Sequence, residues 1–170
     1  MQRFCLFAII VFFSSIVPAF AQSGPDLPQR TATVRSTQAL NFGDITIFSG
    51  SSGGTVTVNQ DGSRSYTGSV VPVNLGQLVQ PAIFELKVCP GRMINVTYPT
   101  TTVLTGSNGG SMILNLGPTS IGASGSTFIS NKGCDDIHLI RVGGTLTVGN
   151  IGSNPAGLYS GTFSLTFVQQ

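Results

Sequence analysis

Residues 55–66 read Thr55-Val56-Thr57-Val58-Asn59-Gln60-Asp61-Gly62-Ser63-Arg64-Ser65-Tyr66, and this stretch decides the fold class. On an extended chain Val56 and Val58 fall on one face, Thr55 and Thr57 on the other. The alternation leads into Asp61-Gly62, where glycine supplies the positive φ that a tight turn demands. Ser63 onward then reads as the returning strand. A second stretch, Tyr159 to Val168, repeats the pattern: Phe163, Leu165 and Phe167 share one face, and Thr162, Ser164 and Thr166 share the other. That is the period of a half-buried strand.

Outward from these two stretches, runs rich in Val, Ile, Thr, Phe and Tyr alternate with Gly, Asn, Pro and Ser at short intervals. The expected strands lie near 31–36, 40–48, 55–59, 63–67, 69–75, 82–88, 94–98, 101–104, 111–116, 136–148 and 159–168. Residues 117–133 read as a long surface connection, with 127–130 as a weak strand candidate. Every window with apolar residues at helical spacing is broken by Gly, Pro or β-branched residues. The expectation is an all-β protein of one domain over 31–170, a single β-sandwich of immunoglobulin-like or pilin-like form, with the strand order left open.

The start of the chain carries a different pattern. Arg3 precedes an apolar run from Phe4 to Val17, Pro18 ends it, and Ala19-Phe20-Ala21 offers small residues around a cleavage point. Charge, apolar core and small-residue site in that order make a secretory signal peptide over 1–21. The run is shorter than the ~20 residues of a spanning helix. Residues 22–30, with Gly24, Pro25 and Pro28, read as a flexible leader. The expected location is therefore outside the cytoplasm: periplasm, cell surface or medium, with no transmembrane segment after cleavage.

The whole chain has eight basic and six acidic residues, 8% charged in all. The charges are scattered, with no basic run to suggest nucleic acid or an anionic membrane. Thr, Ser, Asn and Gly carry the polarity instead. Such a surface repels copies of itself only weakly.

Once Cys5 leaves with the signal peptide, Cys89 and Cys134 remain. An even pair in an oxidising compartment makes a disulfide the expectation, worth up to ~4 kcal/mol by loop entropy. His138 is the only histidine, flanked by Asp135 and Asp136. An acid–base role would need a nucleophile, and the chain has no Gly-x-Ser-x-Gly, no His-Glu-x-x-His and no phosphate-loop spacing. The expected reading is a loop-to-strand junction with solvated polar groups. One histidine cannot make a zinc site. Asp61, Asp135 and Asp136 resemble no calcium loop. Asn95-Val96-Thr97 matches a glycosylation triplet, a pattern common by chance. The pairs Gly53-Gly54, Gly109-Gly110 and Gly143-Gly144 precede no helix, so they read as turns and bulges that start strands. No catalytic residue, metal or cofactor is expected.

Three stretches carry a family resemblance: Ala39-Leu40-Asn41-Phe42-Gly43; Gly53 to Val58 with Asp61-Gly62-Ser63-Arg64; and Gly144 to Gly149 with Gly157 to Phe163. Their order and spacing resemble a family of small secreted proteobacterial β-domains of unknown function, associated with fimbrial or surface subunits. The ending Gly157-Leu158-Tyr159-Ser160-Gly161-Thr162-Phe163 also looks like the last strand of chaperone–usher pilins. In that class a chaperone or the next subunit supplies a missing strand. Here the leader has no long alternating donor segment, and the cysteines lie mid-chain. The resemblance implies a non-enzymatic surface protein, a pilus-like structural subunit or small adhesin. A periplasmic chaperone and like subunits are its implied partners, and Tyr159, Gly161, Phe163, Leu165 and Phe167 mark the assembly edge. The alternative is a secreted or periplasmic glycan- or polymer-binding module. The absence of Trp and the presence of only Tyr66, Tyr98 and Tyr159 weigh against it.

Overall fold

The computed structural model describes residues 30–170. The expected signal peptide, 1–21, and residues 22–29 of the expected leader lie outside the described residues. The described chain is all-β. Its strands are β1 (Thr33–Gln38), β2 (Asn41–Phe42), β3 (Asp44–Ile47), β4 (Gly54–Val58), β5 (Arg64–Gly68), β6 (Val70–Val73), β7 (Val79–Gln80), β8 (Ala82–Lys87), β9 (Met93–Thr97), β10 (Thr101–Gly106), β11 (Ser111–Thr119), β12 (Ser126–Ile129), β13 (Ile137–Val148), β14 (Tyr159–Ser160) and β15 (Thr166–Gln169).

Eight strands form one curled sheet, ordered β1-β8-β13-β11-β10-β14, with β4 joined to β13 and β5 to β4. The order arises because β13 is twelve residues long. Its first half pairs with β8, from Ile137↔Lys87 to Val142↔Ala82. Its second half pairs on the same side with β4, from Gly144↔Val58 to Val148↔Gly54. The other side of β13 pairs with β11. Three small sheets cover the inner face: β12-β9-β15, β3-β6 and β2-β7. The expected two-sheet sandwich is thus realised as one curled sheet capped by smaller ones.

The apolar positions of the alternating strands meet in one core. Val56 and Val58 of β4, Leu86 of β8, Ile94 and Val96 of β9, and Ile140 and Val142 of β13 are at most 1% exposed. Phe84 and Phe163 meet edge to face, with ring centroids 6.3 Å apart. That contact joins the large sheet to the C-terminal segment. Burying seven such aliphatic side chains contributes about 1.5–3 kcal/mol each.

The opening hairpin is present. Gly62 has φ 86°, the Gly62 amide donates to the Asn59 carbonyl, and Asn59 and Ser63 close the loop. Four sequence expectations change. The run 40–48 breaks at Gly43, which takes φ 71° and whose amide donates to Asn41 Oδ1. Strand β11 continues through Gly117-Pro118 to Thr119, where a register shift opposite β13 accommodates the proline. The long connection expected over 117–133 is occupied by strand at both β11's end and β12, the latter at 126–129 where 127–130 was the candidate. The run 159–168 divides into β14 and β15.

Gly143-Gly144 does not start a strand. It sits inside β13, where the strand passes from β8 to β4. A Cβ on Gly143 would lie 2.2 Å from the Val58 carbonyl oxygen, so the strands could not close. Gly143→Ala should cost about 3 kcal/mol as backbone is forced apart. Gly117→Ala, whose Cβ would meet nothing nearer than 3.5 Å, should change stability by about 1 kcal/mol or less. Urea denaturation of the two variants checks the contrast.

Candidate functional site

The expected assembly edge lies along the C-terminal run. β14 pairs with β10 through Thr105↔Ser160 and Gly106↔Tyr159. β15 pairs with β9 from Thr166↔Thr97 to Gln169↔Ile94. The run therefore starts on the rim of the large sheet and ends on the rim of a small one. From Thr97 to Thr105 is eight residue steps, while from Ser160 to Thr166 is six. The two-residue mismatch lifts Gly161–Leu165 out of the ladder. No backbone–backbone hydrogen bond involves those five residues. Only the Thr162 carbonyl is engaged, accepting from Thr102 Oγ1 at 3.0 Å. Gly161 lets the chain leave β10 closely, since a Cβ there would stand 2.6 Å from the Val103 carbonyl oxygen.

The side-chain alternation survives the loss of the ladder. Phe163, Leu165 and Phe167 pack partly buried against the core, while Thr162, Ser164 and Thr166 are exposed. Tyr159 leans the same way, and its hydroxyl donates to the Pro155 carbonyl at 2.8 Å. Sequence reasoning missed what lies beside this run. β3 pairs only with β6, so its other edge is free. Ile45 and Ile47 line a groove of about 260 Å³ floored by Met112 and Val148 and ending at Tyr159. No sequence signal marks it, because its walls come from residues a hundred positions apart.

His138 is not solvated at a junction, as expected, but half-buried on the inner face of β13. Its ring lies 5.3 Å from that of Phe128, centroid to centroid. Its Nε2 is 2.9 Å from Ser130 Oγ. Ser130 has one hydroxyl proton, which it donates to the Val88 carbonyl at 3.1 Å. A histidine proton on Nε2, donated to Ser130, is the arrangement that satisfies both contacts at once. The Ser130 backbone is held as well: its carbonyl accepts from Gly91 N–H and its N–H donates to the Arg92 carbonyl. The Cys89–Cys134 disulfide closes beside this clasp. Ser130 is 2% exposed, so the Ser–His pair joins β12 to β13 and offers no accessible nucleophile.

The acidic residues do not converge. Asp61 Oδ1 accepts from Ser63 N and Oγ in its own turn. Those bonds hold its carboxyl below the usual carboxylate range. Asp135 meets Arg30 at 3.3 Å in an exposed pair. Asp136 accepts from Gly133 N–H. Asn95 Nδ2 is committed to the Gly125 carbonyl. Among the described residues, no three metal-ligating side chains cluster.

The outer face of the large sheet divides by charge. Around the first half of β13 it carries Arg35, Glu85, Lys87 and Arg141. Around the second half it carries none. There Thr55 faces Thr67 on one side and Thr147 on the other, and Ile113 and Val103 continue the row. Ser65, Thr57, Thr145, Asn115 and Thr101 make the next row. Hydroxyls pair across strands, Thr55 with Thr67 at 2.7 Å and Thr57 with Thr145 at 2.8 Å.

An all-β domain with one disulfide, open strand edges and no gathered metal or nucleophile set is what these residues build. A family model described as a domain of unknown function, DUF4402, matches residues 32–168, and the chain belongs to that family. No curated protein and no solved structure matches the chain. No helix among the described residues is long and apolar enough to cross a membrane.

Two outcomes follow from the clasp. Cys89→Ser should lower stability by about 2–5 kcal/mol, read by denaturant titration of oxidised protein. The pH dependence is set by His138. Burial lowers its pKa, Lys132 lowers it further, and Asp136 partly opposes them. The unfolded chain then takes up the proton first, below about pH 6.5. Stability present at neutral pH should decline as pH falls through the lowered folded value. His138→Gln should flatten that decline between pH 7.5 and 5 in urea midpoints.

Proposed function

We propose that this is a non-enzymatic exported surface protein, a pilus-like structural subunit or small adhesin, that assembles through its C-terminal edge. The observation that carries the reading is the unpaired backbone of Gly161–Leu165. Exposed N–H and C=O groups in an extended segment recruit a strand from another chain. The half-buried Phe163 and Leu165 hold the segment in place while its backbone stays open. The free edge of β3 and its apolar groove add a second surface of the same kind. A periplasmic chaperone, and afterwards a like subunit, is the partner this edge would take. Low charge, 8% of residues, supports close approach of copies.

A proline at Ser164 tests the edge. Ser164 lies outside every ladder and is exposed, so the change removes an N–H that no strand uses. Thr166 is unsuitable, because it pairs with Thr97 inside the protein's own sheet. Ser164→Pro should leave the far-ultraviolet dichroism and melting curve near those of the parent. Cross-linked oligomers, or chaperone recovered with the exported protein, should fall by about tenfold, the effect of losing ~1.4 kcal/mol. A folded variant that still assembles and still recovers its chaperone would overturn the edge assignment.

A further inference from the structure

We infer that the uncharged half of the large sheet, with the cleft at its end, is a binding face for a neutral polysaccharide. The proposal does not rest on the assembly reading, since it uses the outer face of the sheet and not its edges.

The cleft has a volume of about 540 Å³ and lies between the 59–62 turn and Pro118. Gly117, Gly143 and Gly144 line it, so backbone rather than side chains forms part of its wall. Thr57 and Thr145 line it too, and both belong to the outer rows. Cleft and face are therefore continuous. The volume suits one or two sugar rings, in the range where small ligands are held.

The groups offered match a sugar's two surfaces. Sugar rings present hydroxyls at their rims and C–H groups on their faces. Ile113 and Val103, directly opposite each other and 52% and 56% exposed, give an apolar platform. Asn115 and Thr145, side by side in the next row, give an amide and a hydroxyl. Asp61 at the cleft has Oδ1 bonded to Ser63, and its Oδ2 accepts from no other residue. A carboxylate oxygen is a strong acceptor for sugar hydroxyls.

Charge and area select among occupants. A face without a cation has nothing to attract nucleic acid, anionic lipid or acidic glycans, and Asp61 repels them. Two rows across five strands cover about 24 by 14 Å, or ~300 Å². A stable protein partner needs ~800 Å² on each side. A polymer meets the shortfall by engaging many copies at once, so weak single contacts add through avidity.

The test is retention of the purified exported protein on dextran, β-1,3-glucan, galactomannan and colloidal chitin, with heparin as the anionic comparison. Retention by at least one neutral polymer is expected, and little by heparin. Ile113→Lys and Thr145→Lys place a cation on the platform and at its seam with the cleft. Each should weaken retention at least about tenfold, the effect of losing ~1.4 kcal/mol. Arg141→Ala, on the charged half, should change nothing. Melting curves identify a variant lost through misfolding, in which case Ile113→Ser, which keeps the site exposed and uncharged, replaces it with the same expectation. No retention on any neutral polymer, unaltered retention in both lysine variants, or preference for heparin would each overturn the proposal. So would a dimer of the parent protein abolished by Ile113→Lys, since the face would then be a contact between copies.

Discussion

The fold hangs on one long strand with three partners. β13 pairs with β11 along one side and is shared by β8 and β4 along the other. Ile140, Val142, Leu146 and Val148 from this strand alone are at most 4% exposed, in the core that every other sheet covers. The handover from β8 to β4 takes place at Gly143-Gly144. There the backbone of Val58 and Asn59 approaches within the space a side chain would fill. Two glycines in a row weaken a strand locally. They are tolerated because β11 remains paired with Gly144 and Thr145 across the junction.

Much of this was legible in the sequence. Alternation placed Val56 and Val58 on one face, which is buried, and the Asp61-Gly62 turn announced its own hairpin. What alternation does not carry is pairing. Residues 40–48 alternate well enough for one strand, yet Gly43 turns the chain so that β2 joins β7 and β3 joins β6. β7 itself, two residues long, is below the length at which periodicity has meaning. The C-terminal run failed differently. Its side chains alternate throughout, as read, but its partner run Thr97–Thr105 is two residues longer. The mismatch is a property of two segments sixty residues apart, invisible in either one.

The site was less legible than the fold, for the same reason. Cys89 and Cys134 could be paired once Cys5 was assigned to the expected signal peptide, and the two are bonded. His138 could not be placed. Its neighbours in sequence are acidic and suggest solvent, whereas its neighbours in space are Phe128 and Ser130. The threonine pairs Thr55-x-Thr57 and Thr145-x-Thr147 were visible as strand residues. Only the β4–β13 register puts them side by side, and only then does the face become free of charge.

These features share an electrostatic consequence. Among the described residues, no buried side-chain nitrogen or oxygen lacks a hydrogen-bond partner. The described interior is satisfied, and the one ion pair among the described residues is exposed and worth little. The unmet bonding capacity lies at the periphery, in the backbone of Gly161–Leu165 and along the free edge of β3. Backbone pairing and hydroxyl contacts are dipolar, so salt screens them far less than it screens contacts between charges. Recognition through such surfaces depends on register and shape. A chain with few charges and open edges is thereby suited to partners it meets in a fixed geometry, across a wide range of ionic strength.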